Sequence, residues 1–267
     1  MNILRKVFPA RPLGRVFALA IVVVFAAGCA RQTVEQLIQQ ATAAATACHW
    51  RDAYEASTTA LYRDRNNLTA RILQGISLQA LRKSEEAIDT LRQAADAAPK
   101  DFCAQYFYGW VLCEAGRFGD ALAPLKRAYE IRRNHPDLLI LLSRCSLEQN
   151  LPDGQRYLAG LRGYRTYRDS PEVYNAMAML WLGQGDYRQA RLLFGEALER
   201  DPQNPALLQN LAVLHDQYLH EPQPALQYYL RALAASQKVG DRQRESRLRS
   251  RLKGLAEERQ HVAPRGR

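Results

Sequence analysis

The segment from residue 170 to residue 204 constrains this chain most, because it has the pattern of two helices joined by a short turn. The first helix is predicted over about 172–182, and the Gly-Gln-Gly-Asp sequence of residues 183–186 ends it. The second is predicted over about 187–200, and Pro202 stops it because proline cannot donate to the helical hydrogen-bond ladder. Small residues are placed where the two helices must approach closely, and large ones fill the gaps beside them. The small residues are Ala178, Ala190 and Ala197, and the large ones are Tyr174, Trp181, Leu193 and Phe194.

The spacing of these residues resembles the tetratricopeptide repeat. Seven positions carry the residue class of that family: Ala178, Trp181, Gly185, Ala190, Phe194, Ala197 and Pro202. The position of Ala190 recurs along the chain, because Ala53, Ala87 and Ala121 are evenly spaced and Ala225 follows Ala190 at nearly the same interval. This interval, about 34 residues, is the period of the tetratricopeptide repeat.

The register predicts an all-α fold, a right-handed α-solenoid of about six helix–turn–helix repeats with a C-terminal capping helix. In the fourth repeat, Gln155 falls where alanine is expected, and a slip of one residue would place Gly154 there instead. In the third, Pro124 lies inside the second helix and predicts a late start or a kink. The sixth has a one-residue insertion near His220. The repeats are predicted at about 34–67, 68–101, 102–135, 136–170, 171–204 and 205–239.

The N-terminal residues have the pattern of a secretory signal peptide. Basic residues precede an apolar run of twelve over 16–27, which is shorter than the roughly 20 residues that a helix needs to span a bilayer. The run ends in Ala26-Ala27-Gly28-Cys29, which resembles a bacterial lipobox with Ala26 where the family usually has leucine. The resemblance implies a signal peptide over 1–28, lipidation of Cys29 with acyl chains such as palmitate, and a linker over 29–33. Because Ala30 follows the cysteine, it also implies the cell envelope, at the outer membrane facing the periplasm. The alternative is an ordinary signal segment, cleaved or uncleaved.

The net charge of +10 is concentrated at the two ends of the chain. The first 28 residues contribute four positive charges and the last 28 a net five, so the body between them is close to neutral. A nucleic-acid partner is therefore not expected. Residues 240–260 are predicted to form a basic helix with Leu248, Leu252 and Leu255 on one face, and residues 261–267 a disordered tail. This helix is interpreted as a cap on the last repeat, or alternatively as a basic surface for anionic lipid or an acidic partner.

No sequence motif for catalysis, a cofactor or a metal is found. The five histidines do not form a His-x-x-x-His pair with a carboxylate, and no phosphate-binding glycine loop or Gly-x-Ser-x-Gly elbow occurs. A non-enzyme without a small-molecule substrate is expected. Among the cysteines after Cys29, Cys113 and Cys145 are predicted at similar heights on neighbouring first helices. They are interpreted as small buried thiols or, in an oxidising compartment, as a disulfide.

The resemblance to the repeat family implies a concave groove built mainly by the first helices of the repeats. Carried onto this register, the groove would bind a protein partner as an amphipathic helix or extended peptide, anchored on Tyr106 and Trp110. The alternative is that Trp110 packs against neighbouring repeats or the N-terminal segment. The predicted groove residues are Ile72, Ile76, Tyr106, Trp110, Ile140, Arg144, Asn175, Met179, Gln209 and Val213.

These features together indicate a membrane-anchored, non-catalytic scaffold for protein partners. In architecture the chain is similar to repeat lipoproteins that assist the assembly of pili or of secretion systems. An adaptor for cell-wall or envelope-protease machinery is the first alternative. A peptidoglycan-handling enzyme built on a helical solenoid is the second, although no residue pattern supports it.

Overall fold

The computed structural model describes the backbone of residues 32–262 and the side chains of residues 32–257. Within that range all regular elements are helical, and within each of the two units described next successive helices pair as helix–turn–helix repeats. This confirms the predicted fold class, an all-α solenoid of helix–turn–helix repeats. The predicted signal peptide, the lipidation site Cys29 and residues 263–267 of the predicted tail lie outside the described residues.

The described chain divides into two compact units, residues 32–149 and residues 150–262. The first unit contains three helix pairs and one further first helix. Its helices are α1 (Val34–Thr46), α2 (Trp50–Arg63), α3 (Leu68–Ala80), α4 (Ser84–Ala97), α5 (Phe102–Glu114), α6 (Phe118–Ile131) and α7 (Pro136–Glu148).

The second unit begins with a second helix, continues with two helix pairs and ends with a long basic helix. Its helices are α8 (Asp153–Leu161), α9 (Pro171–Gly183), α10 (Tyr187–Arg200), α11 (Pro205–Val213), α12 (Pro222–Lys238) and α13 (Arg242–Val262). Helix α13 includes residues 261 and 262, where the tail was predicted to begin. It packs through Leu248 and Leu255 against Tyr229 and the alanines of α12.

The first helix of each repeat begins at a side-chain cap. An oxygen or ring nitrogen of the residue before the helix accepts a hydrogen bond from a backbone N–H of the first turn, which satisfies a donor that the helix leaves free. The caps recur at the repeat spacing: Thr33, Asn67, Asp101, His135, Ser170 and Asn204.

The turn between the two helices of a repeat contains one residue in the left-handed region. At Gly116 and Gly185 glycine takes this conformation without steric strain. The N–H of the next residue then bonds back across the turn, as in the bond from Arg117 N to Leu112 O at 2.9 Å, which closes the end of the first helix. The other turn residues are Cys48, Arg82, Asn150 and His220.

The recurring alanines lie where the two helices of a pair touch. Every alanine at this position, and every alanine two helical turns later, has no exposed surface, because a larger side chain would force the helices apart. They are Ala53, Ala60, Ala87, Ala94, Ala121, Ala128, Ala190, Ala197, Ala225 and Ala232. In α8, Gly154 is buried and Gln155 is partly exposed.

Three local features distinguish individual repeats. Helix α6 begins at Phe118 and continues through Pro124, so its start is not late. Helix α8 ends at Leu161 after nine residues, and turns follow it. The one-residue insertion in the sixth repeat is absorbed by a π-helical turn over Leu214–Tyr218, since a π-turn takes up one extra residue.

Candidate protein-binding face

The predicted groove residues of the first unit divide into a buried set and a partly exposed set. Ile72, Ile76 and Tyr106 are 7%, 2% and 6% exposed, so they offer almost no surface to a partner. Trp110 on α5 is partly exposed, as are Ile140 and Arg144 on α7. The surface available on the first helices therefore begins at Trp110 and continues onto α7.

Tyr106 belongs to an aromatic cluster in the core. Its ring stacks on Phe102 with centroids 5.6 Å apart and meets the edge of Phe107 at 5.1 Å. The ring of His135 lies 5.5 Å from it, and burial, aided by the charge of Asp137, raises the pKa of its hydroxyl. An aromatic ring held in this way stabilises the repeat through burial and ring packing. Tyr106 is therefore a poor candidate for a contact with a partner.

Trp110 projects from the edge of this cluster. Its ring packs edge-on against Phe107, with centroids 6.1 Å apart, and part of its surface stays accessible. One helical turn later, Glu114 accepts a hydrogen bond from Arg144 at 3.2 Å, which joins α5 to α7. We call the surface formed by Trp110, Glu114, Ile140 and Arg144 the Trp110 patch.

Arg144 is the only basic residue of this patch, and its contacts hold it in place. Its side chain is 13% exposed, and its guanidinium lies 5.2 Å from the centroid of the Phe118 ring, within range of a cation–π interaction. Its buried Nε has no hydrogen-bond partner among the described residues. The Trp110 patch thus combines an aromatic ring, an aliphatic side chain and a fixed ion pair whose charges cancel.

In the second unit the predicted groove residues mainly connect neighbouring helices. Asn175 is 3% exposed, and its side-chain oxygen accepts a hydrogen bond from Asn210 at 2.7 Å. Gln209 accepts one from Arg244 of α13 at 2.9 Å. Met179 and Val213 are partly exposed and pack against apolar clusters of this unit. The residues predicted at the groove are therefore largely engaged inside this unit.

Two polar arrangements in the second unit were not predicted as sites. The ring of Tyr174 contacts both Arg162 and Arg200, whose guanidinium carbons are 4.8 and 4.1 Å from its centroid. Its hydroxyl accepts hydrogen bonds from the two arginines at 2.9 and 3.2 Å. These three residues come from separate elements, so no local spacing in the sequence indicates the contact.

The second arrangement joins α13 to the π-turn. Asp216 accepts hydrogen bonds from Arg251 through both carboxylate oxygens, each at 2.8 Å, and one from the Tyr229 hydroxyl at 2.9 Å. Burial by itself would raise the pKa of Asp216, but the hydrogen bonds and the charge of Arg251 outweigh it and hold the pKa below its usual value of 3.8. The carboxylate is therefore ionised at neutral pH and ties the last helix to the repeats.

Two other kinds of feature, a metal site and a membrane-spanning helix, are absent from the described residues. No group of three or more His, Cys, Asp or Glu side chains within residues 32–257 is arranged to hold a metal ion. Among the helices from α1 to α13, none is both long enough and apolar enough to cross a membrane.

The comparisons with known proteins agree with the repeat architecture. Two models of the tetratricopeptide repeat family match the chain, over residues 72–138 and residues 182–244. A search of curated proteins finds no match. Many solved structures are similar, and three of them are informative.

PilF of Pseudomonas aeruginosa is 19% identical with a TM-score of 0.58, and the match covers 82% of this chain and 97% of that protein. PilW, described as a widely conserved type IV pilus biogenesis factor, is 22% identical with a TM-score of 0.56, over 77% of this chain and 94% of PilW. YrrB, described as a TPR protein with an unusual peptide-binding site, is 20% identical with a TM-score of 0.58, over 68% of this chain and 93% of YrrB. At these identities the likeness establishes the fold.

Proposed function

We propose that this chain is a membrane-anchored, non-catalytic tetratricopeptide-repeat scaffold that binds a protein partner through the Trp110 patch. Proteins built from these repeats are generally non-catalytic and bind other proteins. The observation that carries the proposal is the partly exposed Trp110 beside the fixed Arg144–Glu114 pair on the first helices of the first unit.

The chemistry of the patch defines the partner. Tryptophan is enriched among the residues that dominate the binding energy of interfaces, and the partly exposed Ile140 of α7 adds apolar area to the patch. The Arg144–Glu114 pair is electrically neutral and offers both a donor and an acceptor at the rim. A segment with large apolar side chains and few charges, as an amphipathic helix or an extended strand, fits such a surface.

The proposal also covers the location of the protein in the cell envelope and the process in which it acts. The pattern before Cys29 supports a lipid anchor, and PilF and PilW share the repeat fold over most of their length. Both observations support a role in pilus or secretion-system assembly. The alternative is an adaptor for cell-wall or envelope-protease machinery, which would use the same patch on a different partner.

A crosslinked pull-down of the full chain from detergent-solubilised membranes tests the partner. The test variant is Trp110→Ala, and the matched control is Tyr62→Ala, since Tyr62 is an aromatic residue of the same unit that is 79% exposed on the second helix α2. Loss of a central aromatic contact costs about 2 kcal/mol or more, which weakens binding about 30-fold. We expect Trp110→Ala to lose the partner and Tyr62→Ala to retain it.

The identity of the protein that Trp110→Ala fails to recover distinguishes pilus or secretion-system assembly from cell-wall or envelope-protease machinery. Pilus or secretin components support the first, and cell-wall enzymes or proteases support the alternative. If Trp110→Ala and wild type recover equal amounts of the partner and have the same helical content by circular dichroism, the Trp110 patch is not the binding surface. The anchor is tested separately, because Cys29→Ser should move the protein from the membrane to the soluble fraction and remove the acyl mass from its N-terminus.

A further inference from the structure

Two cysteines of the first unit meet inside the core. The Sγ atoms of Cys113 on α5 and Cys145 on α7 lie 3.0 Å apart, and both residues have no exposed surface. A disulfide bond is about 2.05 Å long, so the two sulfurs are within about 1 Å of bonding distance. The other two described cysteines, Cys48 and Cys103, are exposed.

The surroundings keep this pair together. Cys113 is followed by Glu114, and Cys145 is preceded by Arg144, so the ion pair of the Trp110 patch lies directly beside the two thiols. Helices α5 and α7 are both first helices and contact each other within the unit. The relative position of the two sulfur atoms is therefore fixed by the packing of two rigid elements.

The thiol of Cys113 is held in its protonated form once the unit has folded. The hydrogen bond between them and, after it, burial raise the pKa of Cys113 well above its ordinary range. Because the thiolate is the reactive species, exchange with an external oxidant is slow in the folded state. A bond between the two sulfurs must then form during folding, while the thiols are still accessible.

We propose that Cys113 and Cys145 form an intramolecular disulfide that joins the first helices of the third and fourth repeats. The two thiols lose two protons and two electrons as the S–S bond forms. The oxidant is a small-molecule or protein disulfide, whose own S–S bond breaks and is reduced to two thiols. This proposal is independent of the partner that the Trp110 patch binds.

The bond would close a loop that contains all of α6 and would tie together the two helices that carry the patch. The segment between the cysteines, 114–144, includes Phe118–Ile131. Closing a loop of this length restricts the unfolded chain and so favours the folded state. It would also prevent α5 and α7 from separating, which keeps Trp110 and Arg144 in register.

Peptide mapping tests the connectivity. The full chain carrying Cys103→Ser is unfolded in denaturant with reductant, then refolded in oxidised and reduced glutathione, blocked with N-ethylmaleimide and digested with trypsin without reductant. Cleavage after lysine and arginine gives peptides 101–117 and 145–156, each with one of the two cysteines. We expect them as one linked species that separates on reduction.

The same peptide map can also overturn the proposal. If both peptides carry N-ethylmaleimide after oxidative refolding, while circular dichroism shows the native helical content, the pair is a dithiol and no disulfide forms. Linkage of either peptide to the one containing Cys48 would also refute it.

Thermal unfolding gives a second readout that does not depend on digestion. The oxidised protein should lose about 5–15 °C of Tm when a reductant is added. The Cys113→Ala/Cys145→Ala variant should show no such response, although its own Tm will be lower because two buried side chains are truncated. An equal response in that variant would assign the effect to another cysteine and reject the proposed bond.

Discussion

A substitution at Gly109 tests whether the close contact between the two helices of a repeat limits the size of the side chain at that position. It lies in the middle of α5, and a Cβ added there would be 2.5 Å from both Cγ and Cδ2 of Leu125 on α6. Real Cβ atoms essentially never come within 3.0 Å of another heavy atom, so Leu125 would have to move. Leu125 has no exposed surface and Cγ is close to its backbone, so the side chain has little room to rotate away.

The two contributions to the effect of Gly109→Ala have opposite signs. Alanine favours a helix interior over glycine by about 0.5–1 kcal/mol. Forcing an extra carbon into a filled core costs about 1–3 kcal/mol. The clash is severe and lies on a fully buried residue, so the packing cost prevails. We expect the free energy of unfolding to fall by about 2 kcal/mol or less, the packing cost minus the gain in helix propensity.

Urea unfolding followed by circular dichroism measures this change. Gly119→Ala is the control in the same unit, because a Cβ there meets only the end of the Gln149 side chain at 3.8 Å. That variant should be neutral or stabilised by up to about 1 kcal/mol. In a Leu125→Ala background the carbon that causes the clash is gone, so Gly109→Ala should become stabilising. If Gly109→Ala stabilises the wild-type background as Gly119→Ala does, the reasoning is refuted.

Two further predictions concern titratable side chains. The ring nitrogen of His135 caps α7 by accepting a hydrogen bond from Leu138 N, and burial lowers the pKa of His135. The folded state therefore binds fewer protons than the unfolded state just below about pH 6.5, the ordinary pKa of histidine. The free energy of unfolding should thus fall as the pH drops below about 6.5. His135→Asn keeps a cap that does not titrate, so Tm against pH should be flatter than for wild type. Asp216→Asn should cost about 1–3 kcal/mol at pH 7, since Arg251 and Tyr229 lose their charged acceptor. Because the pKa of Asp216 is lowered in the folded state, its stabilisation is lost as the pH falls below 3.8, and the difference in urea midpoint between variant and wild type should shrink there.

The repeat register could be predicted because one position tolerates only a small side chain. Ala53, Ala87 and Ala121 recur at the repeat period, and all three are fully buried where paired helices touch. Gly154, which a one-residue slip would place at this position of the fourth repeat, is also buried. Pro124 shows the limit of local rules, because an interior proline costs roughly 3 kcal/mol and yet α6 continues through it. Buried contacts of Ala121 and Leu125 against α5 hold the helix in place.

The groove residues could be predicted only in part, because their exposure depends on the next repeat. Tyr106 and Asn175 occupy the fifth position of their first helices and are buried, whereas Trp110 and Met179, one helical turn later, are partly exposed. The sequence pattern of one repeat places all four on the same helical face. Which of them a neighbouring helix covers depends on the packing between repeats, and that cannot be obtained from the spacing within a repeat.

The contacts between successive first helices also explain the position of α13. Asn175 meets Asn210, which follows it by 35 residues, and Gln209 meets Arg244 at the same separation. In each pair a residue near the start of one first helix contacts a residue near the start of the next helix of this series. Helix α13 therefore packs on the sixth repeat as the first helix of a further repeat would, and it uses an arginine where the preceding contact uses an asparagine. The basic composition of α13 thus serves these inward contacts as well as its exposed face.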